Sequence, residues 1–386
     1  MNSIDSRLSI ASSSIRQSIK EATQGLVERE TLADLIILSA VASEHLLVIG
    51  PPGTAKSAVV RRVAQSLGGR YFEYLLGRFT EPSEIFGPVD LRKLRTGTIE
   101  TETTGMLPEA DIAFLDEVFL GSTAVLNTLL GVLNERTFRR GHTKIRCPLR
   151  VCVGAANHLP EEESLSAFAD RFLVHCFVES VPDFLLESLL SGGWSNSTAE
   201  PTACDALMHL DTLSASVRNA NMNQVRSALS HCIRLLRKAG IQLSDRRIVK
   251  SQMLIAAAAV LAGRQHPEES DLWPLVYVIP SEEGQISARE VLAEALKTTS
   301  NQTLNAVAED ASNSPATRAA RIEEQAKALF AKDSESGAES AERERWILQL
   351  ESIGREIDAG FPADTLPDSL AAIKQEITRI VSEENP

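Results

Sequence analysis

His45-Leu46-Leu47-Val48-Ile49-Gly50-Pro51-Pro52-Gly53-Thr54-Ala55-Lys56-Ser57 is the stretch that decides the fold. His45 to Ile49 is a short apolar run of the strand type, and it stops at four residues that no regular element tolerates. Beyond them Val59, Val60, Val63 and Leu67 recur at helical spacing, which predicts a helix from Lys56 to Leu67 ending at Gly68-Gly69. A strand, a glycine-bearing turn and a helix N-terminus in that order make an anion cradle, because backbone N–H groups of the loop and of the first helical turn face phosphate oxygens. Gly50, Pro51, Pro52, Gly53, Thr54 and Ala55 would form the cradle. Lys56 would reach the β- and γ-phosphates, and the Ser57 hydroxyl would ligate magnesium. The general pattern has glycine just before the lysine, where this chain has Ala55; its methyl group is tolerable if φ stays negative. The plainer alternative is a Gly/Pro turn ahead of a helix.

Ile112-Ala113-Phe114-Leu115-Asp116-Glu117 lies about 60 residues further on. It reads as a buried strand ending in two acids, the Walker B arrangement. Asp116 would hold the magnesium shell, and Glu117 would orient and polarise the attacking water. Further strands are expected at Tyr71 to Leu76, Arg150 to Ala155 and His175 to Val178, with helices at Glu30 to Val41 and Val125 to Asn134. That alternation indicates an α/β fold with a mainly parallel sheet flanked by helices. After Pro182 the strand signals fade. Gln224 to Lys238 and Asp245 to Ala262 read as helices, the second with Ser244 as N-cap and Gly263 as its stop. From about Asn301 the chain is rich in Ala, Ser and Glu, breaks at Ser334-Glu335-Ser336-Gly337, and resumes with helical patterns at Glu342 to Ile357 and Asp368 to Val381. The expected division is an α/β nucleotide-binding domain at 1–181, an all-helical lid at 182–299 and an acidic helical extension at 300–386.

A chain of 386 residues suggests two or three domains. With 5% aromatic residues, its core should be built mainly from Leu, Ile, Val and Ala. The polar, Ser-rich start carries no signal-peptide pattern, and the longest apolar run, Met253 to Ala262, is about half of what spans a bilayer. A cytoplasmic protein without direct membrane insertion is expected. The five cysteines are scattered and suit small buried hydrophobes. The net charge is −13, and from Ser300 onward seventeen acids face nine bases. Such a chain is a poor general binder of nucleic acid.

Further residues carry a family resemblance. Val151-Cys152-Val153-Gly154-Ala155-Ala156-Asn157 looks like the next strand of an AAA+ ATPase, with Asn157 in the place called sensor 1. Phe168-Ala169-Asp170-Arg171-Phe172 resembles a MoxR-family pattern in which the arginine, here Arg171, is the finger offered to a neighbouring subunit's γ-phosphate; Arg171 could instead be a structural partner of Asp170 or another acid. Ser244-Asp245-Arg246-Arg247 resembles the lid's sensor 2 segment, with Arg246 the first choice and Arg247 the second. Gly25-Leu26-Val27-Glu28-Arg29-Glu30 resembles the segment that lies against adenine, through Leu26 or Val27, although core packing explains these two nearly as well. Arg78 to Pro88 resembles a MoxR segment closest to the RavA branch, followed by Val89 to Leu107, a hairpin-type insertion. The resemblance spans roughly residues 20 to 280 and omits the tail, whose length and strand pattern are not expected to supply the β-rich domain that follows the lid in RavA-like proteins. It implies ATP and Mg²⁺ as cofactors and a homo-oligomeric ring, expected to be a hexamer. A von Willebrand factor A-domain protein and a client complex are the partners it implies.

Arg136, Arg139, Arg140, Lys144, Arg146 and Arg150 cluster around Gly141-His142, a hairpin turn open to a pore contact, a nucleic-acid contact or plain solvation. Glu342 onward begins an amphipathic helix with Trp346, Leu350 and Ile353 on one side, expected to pack on the lid or on the final helix rather than on a partner. Three functional readings follow: an ATP-driven remodelling machine, an ATP-switched binding module with little turnover, and, last, a nucleic-acid motor.

Overall fold

The computed structural model describes residues 3–95, 97–182, 185–196, 206–312, 322–323, 326–327, 329–330, 340–361 and 366–384. Along the first half run α1 (Ser3–Thr23), α2 (Glu30–Ala42), β1 (Leu46–Ile49), α3 (Lys56–Leu67), β2 (Tyr71–Leu75), α4 (Pro82–Phe86), α5 (Leu91–Leu94), β3 (Ile112–Asp116), α6 (Thr123–Glu135), β4 (Thr137–Arg140), β5 (Thr143–Arg146), β6 (Val151–Ala156), α7 (Glu163–Ala169) and β7 (Val174–Phe177). The second half is helical: α8 (Leu186–Asn196), α9 (Leu207–Arg218), α10 (Arg226–Lys238), α11 (Asp245–Leu261), α12 (Glu282–Val291), α13 (Ala293–Leu296), α14 (Asn305–Ser312), α15 (Ser340–Gly360) and α16 (Asp368–Glu384).

The main sheet has the order β2-β3-β6-β1-β7, and each pairing in it is parallel. Parallel strands covered on both faces read as continuous apolar runs, and every residue of β1 and β6 is buried. Alternate side chains serve two cores, as the two-residue period of a strand requires. Leu46, Val48, Ile112, Phe114, Val151 and Val153 join the core shared with α1, α2, α3 and helices α9 to α14. Leu47, Ile49, Ala113, Leu115 and Cys152 join the opposite core with α6, Phe168 and Phe172. β2, at the sheet edge, is only partly buried.

Several expectations hold closely. The Lys56–Leu67 helix has the bounds read from sequence, and Ser244 caps α11 by accepting from the Arg247 N–H. Cys147, Cys152, Cys176 and Cys232 are buried free thiols; Cys204 and the Ser334–Gly337 break lie outside the described residues. Two features go beyond the sequence reading. The Ser-rich N-terminus forms α1, with Leu8, Ala11, Ile15, Ile19 and Ala22 buried at helical spacing and Ser12 and Ser18 buried among them. The Val89–Leu107 insertion doubles back as a hairpin, without regular strands among the described residues. A single antiparallel bridge pairs Val89 with Thr101, and between them the Asp90 carboxylate accepts from the N–H groups of Arg92 and Lys93 and starts α5.

The chain divides into two compact units, residues 1–180 with 191–312 and residues 181–190 with 313–386. In the second, Leu350, Ile353 and Ile357 of α15 pack with Leu370, Ile373 and Ile377 of α16, and the Trp346 indole N–H donates to the Leu329 carbonyl at 3.0 Å. The apolar stripe of the tail helix is therefore covered by the final helix, as expected. Among the described residues no helix is long and apolar enough to cross a membrane.

Candidate functional site

In an open α/β sheet, ligands settle at the carboxyl ends of the strands. Here β3, β6 and β1 are consecutive neighbours, so the residues following each converge. Gly50 leaves β1 with its N–H on the Ala156 carbonyl at 3.1 Å, which sets the phosphate loop beside the end of β6. A Cβ on Gly50 would lie 2.1 Å from the Val178 carbonyl oxygen, so only glycine fits. The Thr54 hydroxyl donates to the Pro51 carbonyl at 2.9 Å and closes the loop. Among the described residues, the N–H groups of Gly53, Thr54 and Ala55 donate to no backbone carbonyl. Unpaired loop amides ahead of a helix N-terminus are what an anion requires, and the loop fits a nucleotide phosphate on that ground.

Ala55 does not keep a negative φ. It stands at φ 60, ψ 22, in the left-handed region, because the chain must turn there to enter α3. Lys56, 8% exposed, folds its Nζ onto the carbonyls of Gly50 and Pro51 at 2.7 and 2.9 Å. Burial lowers its pKa and the charge of Arg29 adds to that, while Asp116 and Glu117 oppose it. Ser57 is half-buried in the first turn of α3.

Asp116 closes β3, and its carboxylate accepts from the Glu117 N–H at 3.0 Å. Glu117 follows in a left-handed conformation, φ 49. Its Oε1 accepts from the Asn157 side-chain amide at 2.7 Å, so the two polar ends of β3 and β6 are joined. Ser57 and Asp116 offer the hard oxygen donors that magnesium takes beside phosphate and water, without a cage of protein ligands. The structure thus brings the phosphate loop, Lys56, Asp116, Glu117 and Asn157 to one end of the sheet.

The arginines part company. Arg247 is 3% exposed and spent on its surroundings: Nε donates to Asp170 at 2.7 Å, and the other nitrogens donate to the carbonyls of Val278, Leu173 and Phe172 and to His175 Nε2. Burial lowers its pKa against the pull of Asp170. Burial beside that guanidinium also drives His175 down to about 3, so its ring stays neutral and donates from Nδ1 to the Pro280 carbonyl. Arg246 is more open, with one bond to the Asn134 side chain at 2.8 Å and Asp170 at 3.9 Å. Asp170 is therefore the partner of the two lid arginines. Arg171 is half-buried, and its Nε has no hydrogen-bond partner among the described residues.

Leu26 packs on the core and borders an open cavity of about 380 Å³ between α1 and α2; Val27 beside it is half-buried. Of the basic stretch, β4 and β5 form the expected hairpin. Arg136, however, donates to the Ser43 carbonyl, and Arg150 pairs with Asp211 at 2.6 Å. Two contributors escape the sequence reading. Arg29 is buried against the loop at Thr54, and Asn134 receives Arg246. Apolar Leu26 and Val27 draw the eye in that segment, while nothing in spacing separates Arg29 from a surface arginine.

Comparison with known proteins agrees with this geometry. Residues 13–215 match the family model described as the MoxR domain in the MoxR-vWA-beta-propeller ternary systems, and residues 220–290 match an AAA lid domain. An uncharacterized protein of Methanocaldococcus jannaschii is 35% identical over 259 residues, 66% of this chain and 68% of that one. The chaperone MoxR1 of Mycobacterium tuberculosis is 26% identical over 41% of this chain and 42% of its own length. A crystal structure of a candidate ATPase from Cytophaga hutchinsonii superposes with a TM-score of 0.59 over 77% of this chain and 97% of that one, at 16% identity, which speaks for the fold. A family model covering more than half of the chain, a matching lid and a converged phosphate-loop site lead to one conclusion: the chain belongs to the MoxR family of AAA+ ATPases.

Proposed function

We propose that this chain hydrolyses ATP with Mg²⁺ between the subunits of a homo-oligomeric ring, a hexamer, and uses the cycle to remodel or help assemble a partner protein complex. The observation that carries this reading is the meeting of the phosphate loop with Asp116, Glu117 and Asn157 at the ends of three adjacent strands. Lys56 holds the β- and γ-phosphates, Ser57 and Asp116 hold the metal, and Glu117, steadied by Asn157, orients the water. Bound magnesium would neutralise charge building on the phosphate oxygens. In this reading the nucleotide-binding part spans 1–181, the lid 182–299 and the acidic extension 300–386.

Arg171 serves as the finger into the next subunit's site. The support is that Asp170 is taken by Arg246 and Arg247, so the buried Arg171 Nε is not spent on it. Arg246, rather than the fully engaged Arg247, is the lid residue that reports on nucleotide, and Leu26 and Val27 give adenine its apolar contact. A von Willebrand factor A-domain protein is the partner of choice because the matched family is described from systems containing one. The segment from Arg78 to Pro88 supports a place near the RavA branch.

The test is Arg171→Ala. Nucleotide binding should persist while turnover falls by about 10³ or more, and adding a Lys56→Ala chain, whose own finger is intact, should restore part of it. Unchanged turnover would remove the ring mechanism and leave an ATP-switched binding module.

A further inference from the structure

Arg29 is buried between three main-chain carbonyls. Its Nε donates to Thr54 at 2.8 Å, Nη1 to Glu28 at 2.6 Å and Nη2 to Glu179 at 2.9 Å. It is 5% exposed. A guanidinium is always charged and needs several donors satisfied to be buried; here those bonds go to backbone oxygens of the turn before α2, the phosphate loop and the segment leaving β7. Apolar packing would not select an arginine for this place.

Ala55 supplies the second observation. It holds φ 60, ψ 22, a conformation that glycine adopts freely and a residue with a Cβ resists. The peptide between Thr54 and Ala55 is planar and trans, so its C=O and N–H point in opposite directions. With the Thr54 oxygen fixed on Arg29, the Ala55 N–H is turned the other way, and it donates to no backbone carbonyl among the described residues. A flip of that peptide would relieve Ala55. It would also withdraw an N–H from the loop's concave side and put a carbonyl oxygen in its place, repelling phosphate.

We infer that Arg29 is a positioning residue for the phosphate loop: by holding the Thr54 carbonyl it locks the Thr54–Ala55 peptide against flipping, which makes alanine workable where the loop calls for glycine. The inference rests on the nucleotide-site reading above and adds a part to it. The guanidinium touches no nucleotide and acts through the backbone.

The experiment is a double-mutant cycle read by titration with Mg·ADP and a non-hydrolysable ATP analogue, with a melting curve for each protein. Arg29→Gln should weaken binding by about tenfold or more. Ala55→Gly alone is the reference corner of the cycle, against which the double variant is compared. The double variant should recover most of the loss, because glycine holds the left-handed turn unaided. A double variant as weak as Arg29→Gln, or weaker, overturns the inference. If Arg29→Gln does not fold, Arg29→Lys, which keeps the charge but cannot span three carbonyls, takes its place in the same cycle. Failure of both to fold, with and without Ala55→Gly, also overturns it. A wild type that binds neither nucleotide removes the nucleotide site itself and this inference with it; wild-type binding with no rescue removes the inference alone.

Discussion

Arg246 and Arg247 adjoin in sequence and differ in everything that decides their use. Arg247 satisfies Asp170, three carbonyls and a neutral histidine from a buried position, whereas Arg246 makes one hydrogen bond, to Asn134, lies 3.9 Å from Asp170 and remains partly exposed. Removing a buried charged group that holds several acceptors costs about 3 kcal/mol, while trimming a more open side chain costs within about 0.5 kcal/mol. Arg247→Ala should therefore lower the melting temperature clearly. Arg246→Ala should melt like the wild type and lose turnover. Calorimetry and a phosphate-release assay on both variants check this, and equal melting losses would contradict the assignment. A sequence cannot make that distinction, since both arginines occupy the first turn of one helix and only the packed fold shows which faces inward. Ala55 is a parallel case. The sequence exposes the departure from glycine, but the left-handed φ and the arginine beside it emerge only from the folded loop.

Between elements, the joint of α2 with α14 carries a titration. Asp34 of α2, 2% exposed, accepts from the Val307 N–H at 3.2 Å near the start of α14. Burial pushes its carboxyl up to about 8, against the backbone N–H groups of Val307 and Ala306. An unfolded Asp titrates near 3.9. Between about pH 4 and pH 8 the unfolded chain has released this proton and the folded chain has kept it, so stability falls as pH rises through that window and levels off above it. Asp34→Asn keeps an acceptor without the charge. Its melting temperature relative to the wild type should climb from pH 5 to pH 8, which a melting series measures; a constant difference would refute the coupling. The elements themselves were legible to different degrees. β1, α3 and β3 stand out because strands buried on both faces are uniformly apolar and because Gly50 to Gly53 punctuates the turn. α1 was hidden because Ser12 and Ser18 share its buried face with Leu8, Ile15 and Ile19, which dilutes the apolar period. α5 was hidden because its start depends on one Asp90 side chain rather than on a periodic pattern.

For the whole molecule, the α/β core and residues 191–312 form one compact unit, and the acidic tail builds a small core of its own from α15 and α16. Charge and length announced the acidic extension, and the two helical stripes announced its pairing. What the extension acts on does not follow from either. In the first unit the ends of β1, β3 and β6 lie side by side, where ATP hydrolysis is proposed to occur. The most direct measurement compares the wild type with Glu117→Gln for Mg·ATP binding and for single-turnover hydrolysis. The variant should bind ATP about as tightly as the wild type and hydrolyse it at least about 10² more slowly, since it loses the carboxylate proposed to orient the water and keeps the cradle. Hydrolysis by the variant at the wild-type rate, or no uptake of ATP by the wild type with magnesium present, would contradict the proposal.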